Sequence, residues 1–167
     1  MKLLGKTLLV STLAFCLATA AHAAPDPACN PLIKASEARA AAPASQAITV
    51  VSPSNFTMKF IKVGGKSYSQ TQGSPWKLSP VDISEAERQL ITQINSGAVK
   101  ISKCKLGSDE TINGMVTTVL NYTIEMPGAP AAAAKLYIGK SDGLPYLQIS
   151  AETKTTYSYK EIKAPKM

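Results

Sequence analysis

One stretch of the chain alternates apolar and polar side chains over residues 115–126, which is the pattern of a β-strand that buries one face. No other segment gives so strong a strand signal. The side chains of one face are Val116, Thr118, Leu120, Tyr122, Ile124 and Met126. A Pro- and Gly-containing turn follows at residues 127–130, so the segment predicts a sheet whose strands are joined by short turns.

Shorter strand patterns lie on both sides of this segment. They predict strands over residues 48–51, 56–61, 66–70, 99–106, 132–138, 144–149 and 155–162. Turns are predicted at residues 64–65, 107–109 and 141–143, where Gly, Ser and Asp cluster. Because these connections are short, successive strands are expected to run antiparallel.

Two helices are predicted. The first starts at Asn30 and Pro31, which resemble an N-cap and first-turn pair, and ends before Pro43. The second starts at Asp82, with Glu85 three residues later as in a capping box. Its apolar side chains form one stripe, which is typical of a helix that covers a sheet: Ile83, Ala86, Leu90, Ile91 and Ile94.

Together these elements predict an α+β fold, with a curved antiparallel sheet of about six to eight strands and two helices packed on one face. The composition agrees, because 45% of the residues are apolar and only 17% are charged, enough to bury a core. No repeat or linker divides the chain. Residues 24–167 are therefore expected to form a single domain.

The first residues have the features of a secretory signal peptide. Lys2 and Lys6 precede an apolar stretch at residues 7–17, and an A-x-A cleavage site follows at residues 21–23. We therefore expect residues 1–23 to be removed and the protein to be periplasmic, with secretion as the alternative. The apolar stretch is too short to anchor the chain across a membrane.

The predicted leader contains the only histidine of the chain, His22. A mature chain without histidine cannot form a Ser-His-Asp triad, a Cys-His pair or an imidazole-ligated zinc site. No other catalytic motif is present. We therefore predict a protein that is not an enzyme, with no catalytic residue, no metal ligand and no cofactor.

Two cysteines remain after removal of the leader, Cys29 and Cys104. In an exported protein an even number of cysteines favours pairing, so a Cys29–Cys104 disulfide is predicted. The alternative is a reactive thiol at Cys104, which is flanked by Lys103 and Lys105. In a strand these two lysines would project to the face opposite Cys104, which favours the disulfide.

The chain is basic, with a formal net charge of +7. Lys100, Lys103 and Lys105 could suggest nucleic-acid binding, but they lack interleaved arginines and aromatics, and an exported protein does not meet that partner. A solvated strand face that discourages edge-to-edge aggregation is the expected role. Attraction to anionic lipid headgroups or wall polymers remains open.

Aromatic side chains are the best candidates for a functional role in this sequence, because they concentrate on the predicted strands and their ends. They form either a filled core or, with neighbouring aliphatic side chains, the wall of an apolar pocket. The pocket candidates are Phe56, Met58, Phe60, Trp76, Leu120, Tyr122, Ile124, Tyr137, Tyr146 and Tyr157.

The order of these features resembles a known group. A helix after Cys29, then Trp76, an amphipathic helix, Cys104 and Tyr122 are similar to exported bacterial proteins, and the ending at residues 137–145 and 157–159 resembles the LolA/LppX-like lipoprotein-carrier fold. In that fold a curved antiparallel sheet wraps helices, and better-known members carry lipoproteins or lipids in an apolar cavity. The resemblance thus implies the same fold and an apolar ligand.

Two functional hypotheses follow. The first is a periplasmic carrier or binder of an apolar or amphiphilic, lipid-like ligand. The second is a non-enzymatic protein-interaction or envelope-stress module with an envelope protein as partner and no small ligand. They differ in whether the sheet interior contains a cavity or is filled with side chains.

Overall fold

A nine-stranded antiparallel sheet forms one layer of the protein and two α-helices form the other. The computed structural model describes residues 25–167, so the predicted signal peptide, residues 1–23, lies outside the described residues. The predicted α+β class, with two helices on one face of an antiparallel sheet, is confirmed. The sheet has nine strands, more than the predicted number of about six to eight.

The helices are α1 (Asn30–Ala41) and α2 (Ile83–Asn95), and a 3-10 helix at Pro27–Cys29 precedes α1. The strands are β1 (Ser45–Val51), β2 (Phe56–Val63), β3 (Lys66–Thr71), β4 (Lys77–Leu78), β5 (Lys100–Ile112), β6 (Met115–Glu125), β7 (Ala132–Gly139), β8 (Pro145–Ser150) and β9 (Thr153–Ser158).

The strand order is β4-β3-β2-β1-β9-β8-β7-β6-β5. It consists of two antiparallel meanders, β1 to β4 and β5 to β9, which meet where β1 pairs with β9 and Ala47 lies opposite Tyr157. The two edge strands are β4 and β5, and α2 connects them in sequence. This helix therefore joins the two ends of the sheet.

The two faces of the sheet have different neighbours because successive side chains alternate. On one face, the helix face, Leu120, Tyr122 and Leu136 pack against Leu32 of α1 and Ile94 of α2. On the opposite, outer face a smaller buried cluster consists of Val119, Tyr137 and Leu147, with Ile112 and Ile149 packed against it. The main core therefore lies between the helices and the β6–β7 part of the sheet.

The predicted disulfide is confirmed, and a β-bulge makes it possible. Ile101 lies on the helix face, so strict alternation would direct Cys104 to the outer face. The register shifts between Ser102 and Lys105, and Lys103 has a φ of 54°. This extra residue turns Cys104 to the helix face, where it bonds Cys29 with the two Cα atoms 5.1 Å apart.

The predicted turn at residues 107–109 is wrong. β5 continues through these residues with a second register shift between Leu106 and Asp109. The reversal occurs instead at Asn113 and Gly114, both with positive φ, as a two-residue hairpin requires. Gly, Ser and Asp are typical turn residues, but a glycine within a strand also marks a β-bulge, and the register shift here spans Gly107.

The first helix begins one residue earlier than predicted. Cys29 is the N-cap of α1 and contributes no side-chain hydrogen bond, and Asn30 is already helical. The preceding turn is capped by Asp26, whose carboxylate accepts a hydrogen bond from the Ala28 amide. The second helix starts as predicted, because the Asp82 carboxylate accepts from the Glu85 amide at 3.0 Å.

Candidate functional site

The space between the helices and the centre of the sheet is almost completely filled. Leu120 and Cys29 have no exposed surface, and Ile94 and Ala35 are 1% exposed. The cavity that remains has a volume of about 70 Å³. Its apolar walls include Leu32, Leu90 and Leu136. A volume of this size admits water rather than a lipid chain, since ligand pockets usually measure roughly 300–1,000 Å³.

One wall of this cavity is polar. The Tyr157 hydroxyl donates to Oε1 of Gln148 at 2.9 Å, and Nε2 of Gln148 donates to the Tyr122 hydroxyl at 2.9 Å. The guanidinium of Arg39 lies over the Tyr157 ring, with Cζ 4.5 Å from the centroid. Its Nη1 donates to the carboxylate of Glu87. A chain of polar contacts therefore leads from β6 through β8 and β9 to both helices.

Burial shifts the pKa of the ionisable side chains in this set of polar contacts. It raises the pKa of Glu87, an effect that the nearby Arg39 charge opposes. It also raises the pKa of the Tyr122 and Tyr157 hydroxyls, so both remain neutral. The Nε atom of Arg39 is buried without a hydrogen-bond partner among the described residues. The guanidinium is therefore held by one carboxylate and one aromatic ring.

A larger space opens beside this filled interior. It is a groove of about 510 Å³ between the start of α2 and strands β2, β3 and β4. Its apolar walls come from Phe60 of β2, from Ile83 and Ala86 of α2, and from Pro80 and Val81 of the connecting segment. The remaining lining residues are polar or charged: Arg39, Ser69, Thr71, Lys77, Ser79 and Glu87. We call this space the α2 groove.

The walls of the α2 groove are held in place by polar contacts. The buried Lys62 ammonium donates to the carbonyl of Ala40 at 3.0 Å and to the Ser84 hydroxyl at 2.8 Å. The first amide of α2, at Ile83, donates to the Ser67 hydroxyl at 3.1 Å. Lys62 thus places a positive charge at the C-terminus of α1, where the helix dipole favours it, and links α1 to α2.

Arg39 and Glu87 line both spaces. Their side chains are only 15% and 13% exposed, and they separate the small interior cavity from the α2 groove. The groove therefore has an ion pair at its inner end. At its opposite side it has the exposed Lys77.

The structure distributes the predicted pocket residues over several places. Phe60 lines the α2 groove, whereas Tyr122, Ile124 and Tyr157 line the small cavity and Leu120 is packed in the core. By strand alternation Phe56 and Met58 share a face with Phe60 but line neither space. Trp76 precedes β4 and is half-buried.

Two tyrosines lie elsewhere. Tyr146 packs edge to face against Tyr159 at 5.6 Å between centroids and donates its hydroxyl to Asp142. Tyr137 lies on the outer face with Val119 and Leu147. The structure therefore does not bring Tyr137 together with Tyr122 and Tyr157. The register explains this, because Tyr137 is opposite Val119 while its neighbour Leu136 is opposite Leu120.

Sequence reasoning missed the residues that make the α2 groove, in particular Arg39, Lys77, Val81 and Glu87. Glu87 could only be interpreted as a favourable charge in the first turns of a helix. The pairing of Arg39 with Glu87 joins two helices across 48 residues of chain. No local signal reveals such a contact.

Comparison with known proteins supports the fold. The sequence matches no protein-family model and no curated protein. Among solved structures, the lipoprotein LppX of Mycobacterium tuberculosis superposes with a TM-score of 0.55 and 14% identity, over 83% of this chain and 98% of LppX. The fold implied by the sequence resemblance is therefore confirmed.

MucB is a second similar structure, with a TM-score of 0.49 and 13% identity over 82% of this chain. In the MucA/MucB complex of Pseudomonas aeruginosa the TM-score is 0.47 and the identity 11%. The chain spans about 60% of the MucB length. Within residues 25–167, no helix has both the length and the apolar character needed to cross a membrane.

Proposed function

We propose that this protein is a carrier or binder of an apolar or amphiphilic, lipid-like ligand, and that the ligand lies in the α2 groove. One observation supports this most directly. The groove measures about 510 Å³, within the range of roughly 300–1,000 Å³ that small-molecule sites occupy, and most of its exposed wall surface is apolar although six of its lining residues are polar or charged. The LppX-like fold is consistent with this role, since the sequence resemblance implies carriage of lipids or lipoproteins.

The lining suggests which kind of amphiphile fits. An alkyl chain would contact Phe60, Ile83 and Ala86, and burial of each methylene contributes about 0.8 kcal/mol. Lys77 is exposed at the side of the groove and forms no ion pair among the described residues. Its ammonium would contact an anionic headgroup. A fatty acid therefore matches the site better than an uncharged lipid.

The disulfide supports the proposed compartment. The Cys29–Cys104 bond favours an oxidising environment, which supports the periplasm, or secretion, as the location of the protein. The role we propose is binding and transport, not catalysis. It needs no metal or cofactor.

A displacement titration tests the proposed site. We expect a fluorescent fatty acid to bind saturably and to be displaced by unlabelled fatty acid. Ala86→Trp should weaken binding at least tenfold, because Ala86 lines the groove and the larger indole would fill it. Ala86 is exposed, so the fold should accept the larger side chain. Gln89→Trp is the matched control on the same helix, since Gln89 is exposed and does not line the groove. Equal effects of both variants, or no saturable binding, would refute the proposal.

A second candidate function has its own support. The interior between helices and sheet retains only about 70 Å³, so the main core is filled in the way expected of an envelope protein-interaction module. A pull-down from periplasmic extract separates the two proposals. A stoichiometric protein partner, combined with absence of lipid in mass spectra of the purified protein, would favour the interaction module over the lipid carrier.

A further inference from the structure

The outer face of the sheet carries lysines that the strand register places in one row. Lys105 lies opposite Asn121, and Asn121 lies opposite Lys135. Lys135 is opposite Ile149, and Ile149 is opposite Lys154. The row therefore crosses β5, β6, β7, β8 and β9, with a lysine on every second strand. At about 4.8 Å between strands, neighbouring lysines are roughly 10 Å apart.

These lysines are available for contact. Lys105, Lys135 and Lys154 are all exposed, and none of them forms an ion pair within residues 25–167. Lys103 is exposed beside the row, where the bulge of β5 gives it a φ of 54°. A shallow depression of about 380 Å³ lies between Lys103 and Lys135. We call these four side chains the lysine row.

An uncharged, exposed loop lies at the same end of the sheet. Residues 126–131 connect β6 to β7 and contain no charged side chain. Met126 at its beginning is 43% exposed, and residues 127–131 are also exposed. The loop therefore lies only a few residues from Lys135 of the row.

Acidic side chains oppose the lysine row only weakly. Glu125 is paired with Lys100 at 3.6 Å, and Glu152 lies in the turn between β8 and β9. Asp26 lies before α1, close to the start of β5. None of the three forms an ion pair with the row.

We infer that this end of the sheet docks on the surface of a bilayer that contains anionic lipid. The lysine row would contact lipid phosphates, and the 126–131 loop would enter the interface between headgroups and acyl chains. Each lysine near an anionic membrane contributes enough attraction for roughly a fivefold change in affinity. Apolar contact and basic charge together give stable docking, where either alone is marginal. This surface is separate from the α2 groove and does not depend on the ligand there.

A bilayer fits this surface better than a soluble acidic polymer. A polymer would use only the lysines, and the exposed Met126 loop would stay in water. A bilayer uses both, because it offers phosphates and an apolar layer within a few ångströms of each other.

Vesicle flotation tests the inference with the full chain. Vesicles of equal parts phosphatidylglycerol and phosphatidylcholine are compared with phosphatidylcholine alone, at low salt. The variant K103Q/K135Q/K154Q removes three charges from the lysine row. The variant K66Q/K160Q/K163Q removes three exposed charges from other parts of the surface and is the matched control.

We expect wild type and control to float with anionic vesicles only, and the row variant to bind roughly 100-fold more weakly. Met126→Ser should weaken binding about threefold in high and low salt alike. Three results would overturn the inference: no flotation of wild type, equal losses for both triple variants, or an unchanged Met126→Ser. Row-dependent binding to soluble polyglutamate without vesicle binding would assign the surface to an acidic polymer instead.

Discussion

The two halves of the helix layer are held in different ways. Over β5, β6 and β7, the start of α1 and the end of α2 are fixed by the Cys29–Cys104 bond and by packing on Leu120, which has no exposed surface. Over β2, β3 and β4, the same two helices are held by Lys62 and by the hydroxyls of Ser67 and Ser84, and the α2 groove remains open. The first half stabilises the fold, and the second leaves room for a ligand.

The width of the sheet explains this difference. Nine strands at about 4.8 Å spacing cover roughly 38 Å, whereas two packed helices cover roughly 20 Å. Two helices therefore cannot cover the whole helix face. The disulfide draws the helix layer toward β5, so the uncovered part lies toward β4, where the groove is found.

Removal of the disulfide gives the largest expected effect on the packed half. Cys29→Ser with Cys104→Ser should lower the free energy of unfolding by about 4 kcal/mol, because the bond closes a loop with a sequence separation of 75 residues. Urea unfolding measures this loss. Fatty-acid affinity of the folded double variant should stay within about twofold of wild type, since the bond is far from the groove. A parallel loss of affinity would show that the two halves are not independent.

A pair of truncations compares the halves directly. Leu120→Ala should cost about 3 kcal/mol of stability and leave ligand affinity unchanged, because it creates a cavity in the closed core. Phe60→Ala should cost only about 1 kcal/mol but weaken ligand binding roughly tenfold, because Phe60 lines the open groove. Urea unfolding and the displacement titration give the two values for each variant. Weaker ligand binding by Leu120→Ala, with unchanged binding by Phe60→Ala, would contradict the division into a packed half and an open half.

Glu87 lies at the boundary between the halves, and its substitution is expected to change the free energy of unfolding least. Burial raises the pKa of Glu87 above its ordinary value of 4.5, so the folded state binds this proton more tightly than the unfolded state does. Its contribution to stability is therefore present below pH 4.5 and is lost as the pH rises through the raised pKa. Glutamine cannot lose this proton, so the stability of Glu87→Gln relative to wild type should be higher at pH 7 than at pH 4. Urea unfolding of both proteins at the two pH values measures this difference. A relative stability that falls from pH 4 to pH 7 would contradict the prediction.

The sequence predicted the elements of the packed half well. The alternation over residues 115–126 correctly placed Leu120, Tyr122 and Ile124 on the same side, and the cysteine count correctly predicted the disulfide. Tyr137 was grouped with them because it is aromatic, although the alternation of its own strand directs it to the other face. Strand periodicity was the better guide than residue type.

The open half could not be predicted in the same way. The α2 groove depends on how far two helices extend across nine strands, and on a contact between Arg39 and Glu87 on different helices.

The lysine row on the outer face of the sheet could not be predicted either. It depends on pairing across five strands and on a bulge at Lys103 that resembled an ordinary strand in the sequence. Both are consequences of register and of helix placement, which single-sequence patterns do not determine.

The central claim is that ligand binds in the open half of the helix layer and not in its filled core. Amide chemical-shift mapping during a fatty-acid titration tests it most directly. We expect saturable shifts clustered at Phe60, Lys77 and Ala86, with Leu120 and Leu136 unchanged. Shifts centred on Leu120, Leu136 and Tyr122, with no shift at the groove residues, would mean that the core opens to admit the ligand. That result would contradict binding in the open half.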